Sequence, residues 1–246
     1  TTADELGNIS MEREALTLES QAQAMAVKNS GGKVIVQVER IAKQGTLSPR
    51  DIEIPGIMVD AVVISKPENH WQTYEEPYNP AYSGETKAPM ALVPALDLNI
   101  RKIITRRAAM ELKPDDVINL GIGMADGIAN VANEEGVLDE FTLTAEPGII
   151  GGMPAGGPAF GACMNPHAII SQPSQFDFYH GGGLDISFLG LAQVDNKGNS
   201  NVSKFGPKFS GTGGFIDISQ NAKKVVFLGT FTARGLDVQI KDRKSV

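Results

Sequence analysis

Val117-Ile-Asn-Leu120-Gly121-Ile-Gly123-Met-Ala-Asp-Gly127, followed by Ile128-Ala-Asn-Val-Ala-Asn-Glu-Glu135-Gly136 and then Phe141-Thr-Leu-Thr-Ala145-Glu146-Pro147-Gly148, decides the fold. A short apolar run that meets glycines predicts a strand over 117–120 and a turn over 121–127. The next segment has helical spacing and stops at Gly136, so it predicts a helix over 128–135. Residues 141–145 predict the following strand. A strand, helix, strand succession implies an open, mostly parallel sheet with helical cover, and therefore an α/β fold. At its far end Glu146 stands where a strand stops and a glycine-rich loop, Gly148-Ile-Ile-Gly151-Gly152, begins. For Glu-Pro-Gly alone, a solvated strand end and a chemically active carboxylate are both open readings.

The alternation continues on both sides. Towards the start, Ser10 is expected to cap a helix running through Ala15, Leu16, Ala22, Met25 and Ala26 to a stop at Asn29-Ser-Gly31-Gly32. Lys33-Val-Ile-Val-Gln-Val38 follows as a buried strand, and a further strand is expected over 57–64. Between Lys66 and Pro94 lie the single tryptophan, Trp71, and Tyr74, Tyr78 and Tyr82. So many aromatics in a proline-rich stretch predict an arm that packs across its own surface or a partner subunit. Asp97 is expected to cap a helix with apolar positions Ile100, Ile103, Ile104, Ala108 and Leu112, broken by Pro114. Beyond Glu146, strands are expected over 168–171, 185–194 and 225–228, with Asp195-Asn-Lys-Gly198-Asn as the turn into a strand over 200–205.

Composition excludes several classes. The chain has 246 residues, 41% hydrophobic and 21% charged, with no apolar run long enough to span a bilayer. The sequence opens Thr1-Thr-Ala-Asp-Glu5, polar and acidic, unlike a secretory leader. Cys163 is the one cysteine, and His70, His167 and His180 are scattered rather than spaced as metal ligands. A reducing cytoplasm and no metal are expected. A net charge of −7 without clustered cations argues against a nucleic-acid partner. The chain lacks an initiator Met, and its last residues, from Leu236, read as a strand and turn whose return strand has only begun, so a piece of a longer protein is expected. A weak internal echo agrees with that: Lys33-Val-Ile-Val resembles Lys224-Val-Val-Phe, and Ala42-Lys-Gln-Gly45 resembles Ala233-Arg-Gly235.

Two constellations compete for the chemistry. Gly121, Gly123 and Gly127 approach the dinucleotide fingerprint, with Glu140 where a ribose ligand is expected. The third glycine is one residue late, and Asp126 occupies its place, where an acid opposes a pyrophosphate. The longer constellation starts at Glu146-Pro-Gly-Ile-Ile-Gly-Gly152. It continues through Gly181-Gly-Gly-Leu-Asp-Ile-Ser-Phe-Leu-Gly190-Leu-Ala-Gln193-Val-Asp195 and Gly198-Asn199-Ser-Asn201-Val-Ser-Lys-Phe-Gly206, and closes with Gly211-Thr-Gly213-Gly214.

Together these segments resemble the family I coenzyme A transferases, most of all the single-chain acetate or propionate type acting on short acyl groups. The resemblance implies a CoA-transferase-like fold in two tandem domains, the first incomplete. Residues 1–64 correspond to the end of the first domain, 65–96 to a Pro/Tyr-rich linker and 97–246 to a second domain shortened at its end. It further implies that Glu146 is the catalytic glutamate, forming an acyl anhydride and then a glutamyl-CoA thioester in a ping-pong exchange between an acyl-CoA and a free carboxylate. Gly214, with Gly213 as second choice, is implied as an oxyanion-hole donor. Gly121, Gly123, Gly148, Gly190, Gln193 and Asn199 are implied to line the CoA and acyl site. Ala125 stands where the family's usual proline follows the Gly-Ile-Gly turn, which leaves that loop less rigid.

No tightly bound cofactor is implied, since CoA is substrate and transient adduct. The partners are acyl-CoA and short-chain carboxylates, and a homo-oligomer is expected, with a tetramer implied by the resemblance; the isolated chain is expected to be inactive. Four residues carry plainer readings. Lys204 and Lys208 read as CoA-phosphate contacts or solvated charges, His180 as a structural histidine, and Cys163 as a buried thiol rather than a nucleophile. Two other readings stay open: an NAD-dependent oxidoreductase using the Gly121 turn, and a CoA-binding module without turnover.

Overall fold

The computed structural model describes residues 1–230 and the backbone of 240–241 and 244–245. In chain order the elements begin with β1 (Thr2–Asp4), β2 (Ile9–Ser10), α1 (Ser20–Asn29), β3 (Ile35–Val38), β4 (Arg40–Ala42), β5 (Ile52–Ile54) and β6 (Ala61–Ile64). Next come α2 (Ile100–Ala109), β7 (Val117–Leu120), α3 (Gly127–Glu134), β8 (Thr142–Ala145), β9 (Ile149–Ile150), β10 (Met153–Pro154), β11 (Cys163–Met164), β12 (Ala168–Ile169) and α4 (Gln172–His180). The series continues with β13 (Ile186–Gly190), β14 (Gln193–Val194), β15 (Ser200–Asn201), β16 (Lys204–Phe205), β17 (Lys208–Phe209), α5 (Phe215–Asn221) and β18 (Lys224–Leu228). Last, Ile240–Lys241 pairs antiparallel with Lys244–Ser245. The rest of the strand and turn expected from Leu236 onward, and the echo at Ala233-Arg-Gly235, lie outside the described residues.

The chain divides into two compact units, Thr1–Pro89 with Thr144–Asp177, and Met90–Leu143 with Phe178–Val246. In the first, strands run in the order β4-β1-β2-β5 around a small core of Ala3, Ile9, Ala24, Val38 and Ile54. Ser10 does not cap a helix. It is extended in β2, and its hydroxyl donates to Glu12 Oε2 at 2.7 Å, so α1 starts ten residues later, after Glu19. The helix stops where expected, with the amides of Gly31 and Gly32 returning to the carbonyls of Lys28 and Val27.

β3 pairs in parallel with β6, but it is not buried on both faces: Ile35 is 68% exposed and Ile64 61%. Apolar continuity in the sequence does not distinguish a covered strand from an uncovered one. The arm packs against its own unit, with Tyr82 buried beside Ala155, Ala159 and Ala162, and the Arg13 guanidinium 4.2 Å above the Tyr78 ring. Trp71 and Tyr74 remain exposed.

In the second unit β7, β13 and β18 form a parallel sheet in that order, with Ile118 opposite Ile186 and Phe188 opposite Val226. This is the α/β architecture expected from 117–145. Helix α3 buries Ile128, Ala129, Val131 and Ala132. The cap of α2 is Asn99 rather than Asp97, its side chain accepting from the amides of Arg101 and Lys102. The phase of α2 also differs from expectation. Ile100 and Ile103 are exposed, whereas Lys102, Thr105 and Ala108 face inward, and Lys102 Nζ reaches Glu134 Oε2 and the Leu96 carbonyl, each at 2.7 Å. A lysine tolerates that position because its charge is paired while its stem covers apolar surface. The expected strand over 185–194 is two strands, interrupted at Leu191-Ala192.

Candidate active site

Glu146 lies in the first unit, at the tip of the hairpin joining β8 to β9. Thr144 and Ala145 pair with Ile150 and Ile149, which leaves the three-residue loop Glu146-Pro147-Gly148. The Gly148 amide closes it on the Ala145 carbonyl at 3.0 Å. Three features of the sequence fix the carboxylate there. Ala145 is buried with Ile149 and Cys163, anchoring the strand end. Pro147 keeps the backbone of the residue before it out of the helical region. Gly148 has φ of 118°, and a β-carbon on it would overlap the Ile170 carbonyl, so only glycine closes this turn. Glu146 is half-buried and engaged with its surroundings.

The glycines of the βαβ unit lie in the second unit, at the carboxyl ends of the parallel strands, the edge where open α/β sheets bind ligands. Gly121 follows β7 directly and donates to the Phe188 carbonyl at 2.8 Å; a β-carbon there would sit 3.0 Å from the same oxygen. Gly123 follows with its carbonyl accepting from Arg101 Nη2 at 3.0 Å. Gly190 ends β13 and is exposed. These three share one edge. Asp126 occupies the position before α3 without a side-chain capping hydrogen bond, and burial pushes its carboxyl up, against a smaller opposing pull from Arg101.

Gln193 and Asn199 belong to the exposed hairpin of β14 and β15. Gln193 Oε1 accepts from Asn201 Nδ2 at 2.6 Å, while Asn199 Nδ2 donates to Asp195 Oδ2 at 2.7 Å. Both amides brace the turn. Gly213 and Gly214 immediately precede α5, Gly213 with φ of 53° and Gly214 as its N-cap. Lys204 and Lys208 are exposed on the β16–β17 hairpin. His180 Nε2 lies 2.9 Å from Asp217 Oδ1 at the surface. Cys163 is 1% exposed, and burial pushes its thiol up to about 12, the signature of an inert thiol. Among the described residues, no three or more His, Cys, Asp or Glu form a group suited to a metal ion, and no helix is long and apolar enough to cross a membrane.

Sequence reasoning passed over two features. Asn119, Ser187 and Tyr179 form a buried polar network, with Asn119 Nδ2 to Tyr179 Oη and Ser187 Oγ to Asn119 Oδ1 both at 3.3 Å. It ties β7 to β13 two residues before Gly121. The asparagine inside Val-Ile-Asn-Leu was its available signal. The second feature is a cavity of about 660 Å³ in the first unit, between the arm and the segment 158–162.

A family model described as Coenzyme A transferase matches residues 1–65. The caffeate CoA-transferase of Acetobacterium woodii is 48% identical over 100% of this chain and 48% of its own length. The acetate CoA-transferase YdiF of Escherichia coli K12 is 46% identical over 99% of this chain and 46% of its own. The crystal structure of the acyl-CoA transferase YdiF apoenzyme from Escherichia coli O157:H7 superposes with a TM-score of 0.86 at 45% identity, covering 98% of this chain and 45% of that one. A thioester complex of that enzyme with CoA superposes with a TM-score of 0.84, over 98% of this chain and 44% of that one. The chain thus spans about half the length of the curated relatives it matches. With the fold and near-complete coverage at this identity, the chain belongs to the coenzyme A transferase family.

Proposed function

We propose that this chain carries the nucleophile of an acyl-CoA:carboxylate CoA-transferase, and that Glu146 is that nucleophile. The observation that carries the reading is the presentation of Glu146 on a three-residue turn pinned by Pro147 and Gly148. A Glu146 carboxylate oxygen attacks the thioester carbonyl carbon, the C–S bond breaks, and CoA leaves as thiolate, giving a mixed anhydride. The thiolate then attacks the glutamyl carbonyl, releasing the first acid and leaving a glutamyl-CoA thioester. An incoming carboxylate reverses both steps with a new acyl group. Each bond broken resembles one formed, so the exchange proceeds without ATP, and excluding water protects the thioester.

Each attack places negative charge on a carbonyl oxygen. Gly214, or Gly213, supplies an amide to it, and the first amides of a helix lack intrahelical partners. Gly121, Gly123, Gly148, Gly190, Gln193 and Asn199 line the CoA and acyl site in this reading. Residues 1–64 belong to a first CoA-transferase domain, 65–96 to a linker and 97–246 to a second domain. The partners are acyl-CoA and short-chain carboxylates, in a cytoplasmic homo-oligomer with no tightly bound cofactor. The acids named for the relatives, acetate and caffeate, and the CoA thioester of the solved YdiF complex support this assignment. Asp126 at the start of α3 disfavours the dinucleotide reading of the Gly121 turn.

The test is to incubate the full-length protein containing this chain with acetyl-CoA, record its intact mass and map the adduct. CoA bound covalently to the Glu146 peptide is expected. A CoA adduct elsewhere, or acyl transfer without any adduct, overturns the assignment.

A further inference from the structure

We infer that the 660 Å³ cavity of the first unit is the subsite for the tail of the carboxylic acid, and that it selects monocarboxylates with an apolar, planar tail over dicarboxylates. The inference rests on Glu146 being the nucleophile.

Position is the first argument. Leu16, which lines the cavity, packs against the core of Ala145, Ile149 and Cys163, and Ala145 and Ile149 are the strand residues that flank the Glu146 turn. A β-carbon on Gly161 would lie 3.3 Å from Pro147 Cγ and 3.5 Å from Leu16 Cδ1, so the residue following Glu146 and the cavity wall meet at this glycine. Phe160 and Ala162, on either side of Gly161, also line the cavity.

Size and chemistry give the class of ligand. A volume of about 660 Å³ is in the range of sites that hold ligands far larger than an acetyl group. The wall is mostly apolar, with Trp71 and Phe160 available to stack on a planar tail, and Trp71 is 51% exposed although it borders a cavity. No lysine, arginine or histidine lines it, so nothing there complements the phosphates of CoA. Its single charged lining residue is Glu68, which repels the second carboxylate of a dicarboxylic acid.

One of the polar residues on the wall, Gln72, is held in place rather than free to follow a ligand. Gln72 donates from Nε2 to the Arg13 carbonyl at 2.8 Å and accepts the Asn79 amide at 2.7 Å. The arm segment bearing Trp71 is thereby fixed to its own unit, which gives the cavity a defined shape.

The experiment compares kcat/KM for acetate, 3-phenylpropenoate and succinate in the full-length protein and in Trp71→Ala and Glu68→Gln variants. Both side chains are exposed, so the variants are expected to fold. Trp71→Ala should lower kcat/KM for 3-phenylpropenoate by about tenfold while acetate changes by less than about threefold. Glu68→Gln should raise succinate relative to acetate by about threefold or more. Acetate transfer with neither ratio moved overturns the subsite and leaves the transferase reading intact. If the wild type transfers CoA to no acid, the transferase reading falls, and calorimetry with 3-phenylpropenoate decides the cavity separately. Binding weakened by Trp71→Ala then supports the cavity as an aryl-acid site, and unchanged or absent binding overturns it.

Discussion

Gly148 lies so close to Ile170 that the Ile170 carbonyl occupies the place of a β-carbon on Gly148, while the Ile170 amide donates to the Gly148 carbonyl at 2.8 Å. The turn holding Glu146 is therefore locked to the segment entering α4 by contacts that exclude every side chain.

Gly148→Ala should destabilise the fold by roughly 1–3 kcal/mol, through the left-handed backbone and the overlap with Ile170. In the full-length protein it should also lower CoA transfer more than a matched destabilisation elsewhere. Thermal unfolding, run beside the turnover assay, checks both. Transfer at the wild-type rate would show that the turn does not need this geometry.

Glu146→Gln keeps the shape of the side chain and removes the carboxylate proposed as the nucleophile. Transfer should fall by on the order of 10³-fold or more, with the unfolding temperature nearly unchanged. Steady-state kinetics together with circular dichroism distinguish this from loss of fold.

Cys163 should resist alkylation by iodoacetamide at pH 8 in the folded protein, because its thiol is pushed up to about 12 by burial. Peptide mapping should find it modified only after unfolding in guanidinium. Modification under native conditions would mean that the core around Ala145 and Ile149 opens readily.

Glu111 accepts from Lys224 Nζ and Arg107 Nη1, each at 2.6 Å, and these contacts, Lys224 first, lower its carboxyl to about 2 from an ordinary 4.5. A depressed carboxyl contributes stability that is complete above the unfolded value of 4.5 and lost as pH falls towards about 2. Urea titrations between those limits should therefore show a steeper loss for the wild type than for Glu111→Gln. The difference should shrink in high salt, since the cluster is partly exposed.

Much of this was legible in the residues. The apolar run at 117–120, the helical spacing before Gly136 and the second run at 141–145 gave the α/β class, since each pattern buries its apolar side in one way only. Glu146 before Pro147 and Gly148 marked the turn, because proline and glycine restrict the backbone locally. The cap at Ser10 and the inward face of α2 depart from the local pattern for a shared reason. Ser10 joins the strands around Ile9 and Ile54, which are remote in sequence, and Lys102 turns inward because Glu134, on another helix, pairs its charge.

From the order of residues alone came the α/β class, the position of Glu146 at a strand end, and the family likeness, all of which depend on interactions between near neighbours or on motif identity. Folding settled what depends on distant segments meeting. It placed Ile170 against Gly148, joined Asn119 to Tyr179 and Ser187, and shaped an open cavity between the arm around Trp71 and the chain around Phe160. Those contacts follow from packing at close distance between parts of the chain tens of residues apart, and no local spacing encodes them.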